Sequence, residues 1–196
     1  MTLCKDDYKQ VGLLHANNIG EGFLSSLGPQ FLALLYRAID ECEKAVLFTH
    51  RVDGRIVGFV SGSEGMRPIY VQLLKHTPSL IGALLPVLFS FSKIRKVFEL
   101  VFFKKEVKAD GIQAIHAELL SIAVDPEYRG QGIAQKLYGR LRDYFSSKHM
   151  QGFLIVVGSQ LDAAHRFYIG SGAKPIGTVQ LHAGESSVLY LQSLSD

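Results

Sequence analysis

Apolar positions along the chain alternate between runs that suit a strand and stretches spaced at 3.6 residues that suit a helix. After Gly28-Pro29, residues 30–42 place Phe31, Leu32, Leu34, Leu35, Ala38 and Ile39 on one wide helical face. The runs 45–51 and 55–61, rich in Val, Ile and Phe, read as strands, and Asp53-Gly54 between them predicts a tight hairpin. Residues 116–124 form a further strand pattern. A helix is expected over 133–146, with Ile133, Leu137, Leu141, Tyr144 and Phe145 on its core side. The wholly apolar run 152–157 suits a strand buried on both faces, and 161–169 a helix stopped by Gly170 and Gly172. Segments 178–181 and 187–191 predict a closing hairpin across Ala183-Gly184. At the amino terminus the pattern suggests a first strand over 8–11, then a short helix and loop over 15–27.

One stretch stands apart. Residues 69–108 carry an unusual density of Leu, Ile, Val and Phe, including Leu84, Leu85, Phe98, Phe102 and Phe103. Its uncharged core, 77–92, is 16 residues long and contains Pro86, short of the roughly 20 apolar residues needed to span a bilayer. Two helices broken near Pro86 and packed over a sheet account for it. A lid over a substrate site, a homodimer contact or a membrane-facing patch helped by Lys93, Arg95, Lys96, Lys104 and Lys105 are the other roles open to it.

A chain of 196 residues with 47% hydrophobic and 20% charged content can bury a substantial core, and one domain over 1–196 is expected. The net charge of +3 and pI near 8.8 suit anionic ligands, without the clustered basic stripe of a nucleic-acid binder. Only Cys4 and Cys42 occur, with no secretory apolar segment at the start, so the reading is a reducing, cytoplasmic setting with both cysteines in small buried apolar roles. No His, Cys or Asp spacing supports a metal site.

The most specific chemistry lies in 118–134, Glu-Leu-Leu-Ser-Ile-Ala-Val-Asp-Pro-Glu-Tyr-Arg-Gly-Gln-Gly-Ile-Ala, where an apolar strand turns through an Arg-Gly-x-Gly loop into a helix. A helix start presents N–H groups without intrahelical acceptors and a partial positive charge, so it holds a phosphate ester. Gly130 and Gly132 allow the positive-φ backbone of an anion-binding nest. A Walker A loop is excluded, because Ile133 and Ala134 follow Gly132 instead of Lys-Ser/Thr, and Gln135 stands where a dinucleotide fingerprint needs its third glycine.

What remains, Arg129-x-x-Gly132-x-Ala134 after a strand ending Ile122-Ala123-Val124-Asp125-Pro126, closely resembles the acyl-CoA pyrophosphate loop of the GNAT superfamily of N-acetyltransferases. A second stretch, 158–174, looks like another block of that superfamily: a short strand, a polar residue, then a helix bearing Phe167-Tyr168 and closing on Gly172. Gln160 stands where relatives often have Asn, and Ala173 replaces the aromatic after Gly172. The resemblance implies an α/β (α+β) fold with a mixed, mainly antiparallel six- to seven-stranded sheet flanked by helices, and a helical insert at about 69–108. It also implies acetyl-CoA as co-substrate, held by Ile122, Ala123, Val124, Arg129, Gly130, Gln131, Gly132, Ile133, Ala134 and Gln160, with no metal.

Acyl transfer from a thioester to an amine needs a deprotonated amine, stabilisation of the oxyanion and a proton for the thiolate. Glu118 is the expected base. Strand alternation puts it on one face with Leu120, Ile122 and Val124 unless a bulge intervenes. His116 and His165 are the histidine alternatives. Tyr168 matches the family tyrosine near the sulfur and is the expected proton donor, while a backbone N–H near 122–124 serves the oxyanion and pairs with the pantetheine amides as an added strand would. The acceptor is a small-molecule or peptide amine. A non-catalytic acyl-CoA-binding module is the alternative function.

Overall fold

A computed structural model describes residues 3–19, 23–76, 79, 115–182 and 185–194. The apolar stretch 69–108 is met only at its start, so the break near Pro86, the lid, the dimer contact and the membrane patch lie outside the described residues. The same holds for the Ala183-Gly184 hairpin tip.

The expected strand over 8–11 is corrected: Lys5–Asn18 is a helix, α1. Tyr8, Val11, Leu14 and His15 recur at helical spacing and all are buried. The backbone N–H of Cys4 donates to Asp7 Oδ2 at 2.9 Å and closes the first turn. Cys4 is thus an exposed helix cap instead of the buried residue expected, whereas Cys42 is buried. The helix and loop expected over 15–27 resolve into the last turn of α1 and a 3-10 turn, Phe23–Leu27. Helix α2 (Pro29–Asp40) begins after Gly28, whose φ is 88°. It crosses α1 so closely that a Cβ on Gly12 would sit 2.9 Å from the Pro29 carbonyl oxygen.

Strands β1 (Ala45–Val52) and β2 (Arg55–Ser63) form the expected hairpin. Its turn residues Asp53 and Gly54 have φ of 48° and 81°, as a two-residue primed turn requires. There follow α3 (Met66–Leu74), β3 (Glu118–Val124), α4 (Ile133–Ser147), β4 (Gly152–Gly158), α5 (Asp162–Gly170), β5 (Lys174–His182) and β6 (Glu185–Ser193). The strand order is β1-β2-β3-β4-β6-β5. β3 and β4 run parallel and every other neighbour is antiparallel, in keeping with the mixed, mainly antiparallel sheet of six to seven strands that the resemblance implied.

Each face of this sheet buries its own core. Leu32, Tyr36, Phe59, Ile69 and Ala123 pack on the side of α1, α2 and α3. Leu137, Leu141, Phe145, Phe153, Ile155 and Tyr168 pack on the side of α4 and α5. Helix α4 lies hard against β2, since a Cβ on Gly62 would meet Leu141 Cδ1 at 2.6 Å. Among the described residues, no helix is long and apolar enough to cross a membrane.

Candidate active site

The parallel ladder between β3 and β4 holds only Glu118 opposite Leu154 and Leu119 opposite Ile155. Beyond those pairs β3 runs on beside β2, and β4 beside β6, so the facing edges part into a wedge. Peptide groups alternate in direction along a strand. The N–H of Asp125 goes to the Val57 carbonyl on β2, at 2.8 Å, so Ile122 and Val124 turn theirs into the wedge. The Val124 carbonyl is already taken, by Arg129 Nε at 3.0 Å. Among the described residues, the N–H and carbonyl of Ile122 and the N–H of Val124 stay open on that edge.

A bulge redistributes the side chains of β3. Ser61 pairs with Ser121 and Gly62 with Leu119, so Leu120 is the extra residue. The single face expected for Glu118, Leu120, Ile122 and Val124 is therefore corrected. Ile122 and Val124 join the α4 core with Leu119, while Glu118 lies opposite Ser63, on the face that carries Phe59 and Ala123. Tyr70 of α3 neighbours Glu118 there: burial, with the carboxylate's charge added, lifts the Tyr70 phenol above its ordinary range.

The wedge opens toward the start of α4. Asp125 accepts from the Glu127 N–H at 3.2 Å and from Arg55 at 2.6 Å, which sets the turn after β3. Gly130 and Gly132 follow with φ of 75° and 74°, and a Cβ on either would meet nothing within 4 Å. The first amide of the helix with a backbone acceptor is that of Lys136, bonded to the Gly132 carbonyl at 3.0 Å. Among the described residues the N–H groups of Gln131, Gly132, Ile133, Ala134 and Gln135 have no backbone acceptor. Concentrated N–H groups at a helix start, with open space around both glycines, fit a diphosphate. The Arg129 guanidinium is turned back onto Val124 and onto Asn18 Oδ1, 2.8 Å away, so it holds the loop against α1.

Tyr168 is 5% exposed, among Tyr138, Phe167 and Tyr190 with ring centroids 5.2 to 6.2 Å away. Burial pushes its phenol far above the ordinary value. The hydroxyls of its neighbours are committed: Tyr138 donates to Gln192 Oε1 at 2.8 Å, and Tyr190 meets His165 Nδ1 at 2.7 Å. That of Tyr168 makes no hydrogen bond among the described residues. Gln160 lies exposed in the turn between β4 and α5. Of the two histidine alternatives, His116 is exposed and His165 is bonded to Tyr190 and the Gly158 carbonyl.

Sequence reasoning missed Asn18, Tyr70, Tyr138 and Tyr190, which reach the site only through long-range packing. Asp125 was passed over too, although Asp-Pro at a strand end is a turn signal that could have found it. On the α1 side of the loop, Gln10, Asn17, Arg55 and Glu127 line a separate open cleft of about 610 Å³. Neither Glu118 nor Tyr168 lines it. Among the described residues no group of three His, Cys, Asp or Glu side chains is placed to hold a metal ion.

A family model for the acetyltransferase (GNAT) family matches residues 16–173. A search of curated proteins found no match. Among solved structures, an N-acetyltransferase from Staphylococcus aureus Mu50 superposes with a TM-score of 0.64 at 14% identity, covering 100% of this chain and 97% of that one. yncA from Salmonella typhimurium, solved with its cofactor acetyl-CoA, gives 0.62 at 14%, covering 100% and 93%. The ribosomal-protein-S18-alanine N-acetyltransferase from Escherichia coli gives 0.60 at 13%, covering 100% and 93%.

Proposed function

This chain belongs to the acetyltransferase (GNAT) family, and from that footing we propose that it transfers an acetyl group from acetyl-CoA directly to a primary amine. The observation that carries the reading is the β3–β4 wedge, which opens beyond Glu118 beside the start of α4, where amides have no backbone acceptor among the described residues; Tyr168 is assigned to its α5 side. Acetyl-CoA supplies a thioester as the acyl donor. The amides of 130–134 grip its diphosphate, and the Ile122 and Val124 peptide groups pair with its amide-bearing arm. Glu118 and Tyr168 belong to opposite faces of the sheet, so the acceptor amine reaches the wedge from the α1–α3 side while Tyr168 closes the α5 side.

Glu118 takes the proton that the acceptor ammonium must lose to offer a lone pair, and the second proton, shed by nitrogen once the N–C bond has formed, passes to the departing thiolate or to solvent. The new N–C bond forms as the C–S bond breaks, with the developing charge on the acyl oxygen met by a wedge-facing N–H of β3. Burial raises the Tyr168 phenol, so it enters the reaction protonated and meets the departing thiolate as a hydrogen-bond donor. No covalent enzyme intermediate is needed, the whole chain acts as one acyltransferase unit, and its two free cysteines suit a reducing cytoplasm.

Calorimetry with CoA, followed by thiol release from acetyl-CoA in the presence of amino sugars, polyamines and peptide amino termini, tests the proposal. Glu118→Gln should cut kcat/KM by about 10²- to 10⁴-fold, the range for a lost general base, with CoA affinity within roughly twofold of wild type. Folded protein that takes up no CoA would sink the reading. Tight CoA uptake with no turnover on any amine would favour the non-catalytic module.

A further inference from the structure

We infer that His165 is a positioning residue: it bridges the last carbonyl of β4 and the Tyr190 hydroxyl, and so fixes where helix α5 presents Tyr168 to the wedge. The inference rests on the role proposed above for Tyr168. His165 Nε2 lies 3.1 Å from the Gly158 carbonyl oxygen and Nδ1 lies 2.7 Å from the Tyr190 hydroxyl. A carbonyl can only accept, so Nε2 carries the proton, and in that tautomer Nδ1 accepts from the Tyr190 hydroxyl. Both ring nitrogens are then used with opposite polarity, and one tautomer is selected.

The bridge adds a polar tether to the apolar packing of Ala164, Phe167 and Tyr168 that seats α5 on the α4 side. The helix has nine residues and its cap, Leu161, makes no side-chain bond to the first turn, so its order comes from tertiary contacts. His165 and Tyr168 are three residues apart and share one face. Gly158 is where β4 ends, on the arm of the wedge that has parted from β3. Its carbonyl also accepts the Leu161 N–H at 3.0 Å, so two donors pin the turn into α5. Tyr190 lies beside both partners, with ring centroids 5.8 Å from His165 and 6.2 Å from Tyr168. Its hydroxyl is thereby withheld from Tyr168, whose own hydroxyl is left to face a ligand.

The test uses CoA as probe and needs no acceptor. The thiol of enzyme-bound CoA is titrated by its thiolate absorbance, alongside calorimetric affinity and melting temperature. With a donating Tyr168, the bound thiol should titrate roughly one pH unit or more below free CoA. Tyr168→Phe should return it to the free value, and Tyr190→Phe, which keeps the ring and removes only the hydroxyl, should move it at least half of that way with CoA affinity within twofold. His165→Leu should match Tyr190→Phe, and adding Tyr190→Phe to Tyr168→Phe should produce no further shift. Nitrogen NMR of the His165 ring should show Nε2 protonated and Nδ1 bare. A shifted titration in Tyr168→Phe beside an unshifted one in Tyr190→Phe overturns this inference alone, as does an Nδ1-protonated ring. A Tyr168→Phe enzyme that titrates like wild type overturns both the inference and the role of Tyr168.

Discussion

Two glycines of α4 should respond to the same substitution with opposite signs. Gly132, at the amino-terminal cap, has φ 74° and ψ 8°, and a Cβ there would meet nothing within 4 Å. The penalty of Gly132→Ala is therefore conformational alone, about 1–2 kcal/mol for a left-handed alanine. In a domain of this size that lowers the melting temperature by roughly 2–8 °C. Gly139 lies inside the same helix with equally open surroundings and no positive φ. Gly139→Ala should gain up to about 1 kcal/mol of helix propensity, raising the melting temperature by roughly 2–4 °C. CoA affinity separates the two further. If the loop relieves strain by rotating Gly132 toward the right-handed region, at least one N–H leaves the anion site. A hydrogen bond to a charged acceptor is worth about 1.5–3 kcal/mol, so the Kd should rise roughly ten- to hundredfold. Gly139→Ala should bind CoA like wild type. Thermal melts and calorimetry on the pair decide it: a Gly132→Ala protein that melts at or above wild type and binds CoA equally well would refute the role assigned to that backbone.

Gly62→Ala should cost about 1–3 kcal/mol by overpacking, because the new methyl would lie 2.6 Å from Leu141 Cδ1 and 2.9 Å from Phe145 Cζ; urea unfolding that shows no loss would contradict the packing of α4 on β2. His15 is 2% exposed, and burial lowers its pKa to about 4 from an ordinary 6.5. The unfolded chain thus binds the proton more tightly, and stability should fall as pH drops from about 6.5 to about 4, by about 3 kcal/mol in full. Urea midpoints across that window, compared with His15→Gln, check the sign; a ring that titrates near 6.5 by NMR would refute it.

Where local pattern and tertiary demand agree, the elements were legible in order. The Asp53-Gly54 hairpin, the wide face of α2, the face of α4 and the run buried on both sides in β4 are all set by interactions within a few residues or by simple periodicity. The amino terminus was not, because Tyr8 to Val11 is too short to distinguish two periods; burial of Leu14 and His15 against α2 and β2 decides for a helix. The shape of the loop before α4 was legible for a related reason: main-chain N–H groups define the anion site proposed there, and glycine spacing after a strand dictates where those point.

By itself the sequence determined the family, the strand–loop–helix that fits a diphosphate, and the identity of Glu118 and Tyr168 as candidates. Only the tertiary structure decided which way they face. The bulge at Leu120 turns Glu118 to the α1–α3 side, and the early parting of β3 from β4 opens the wedge. With Tyr138 and Tyr190 engaged by Gln192 and His165, Tyr168 is the hydroxyl of its cluster without a partner among the described residues. Strand pairing and side-chain commitments of this kind join residues tens of positions apart, and no local pattern encodes them.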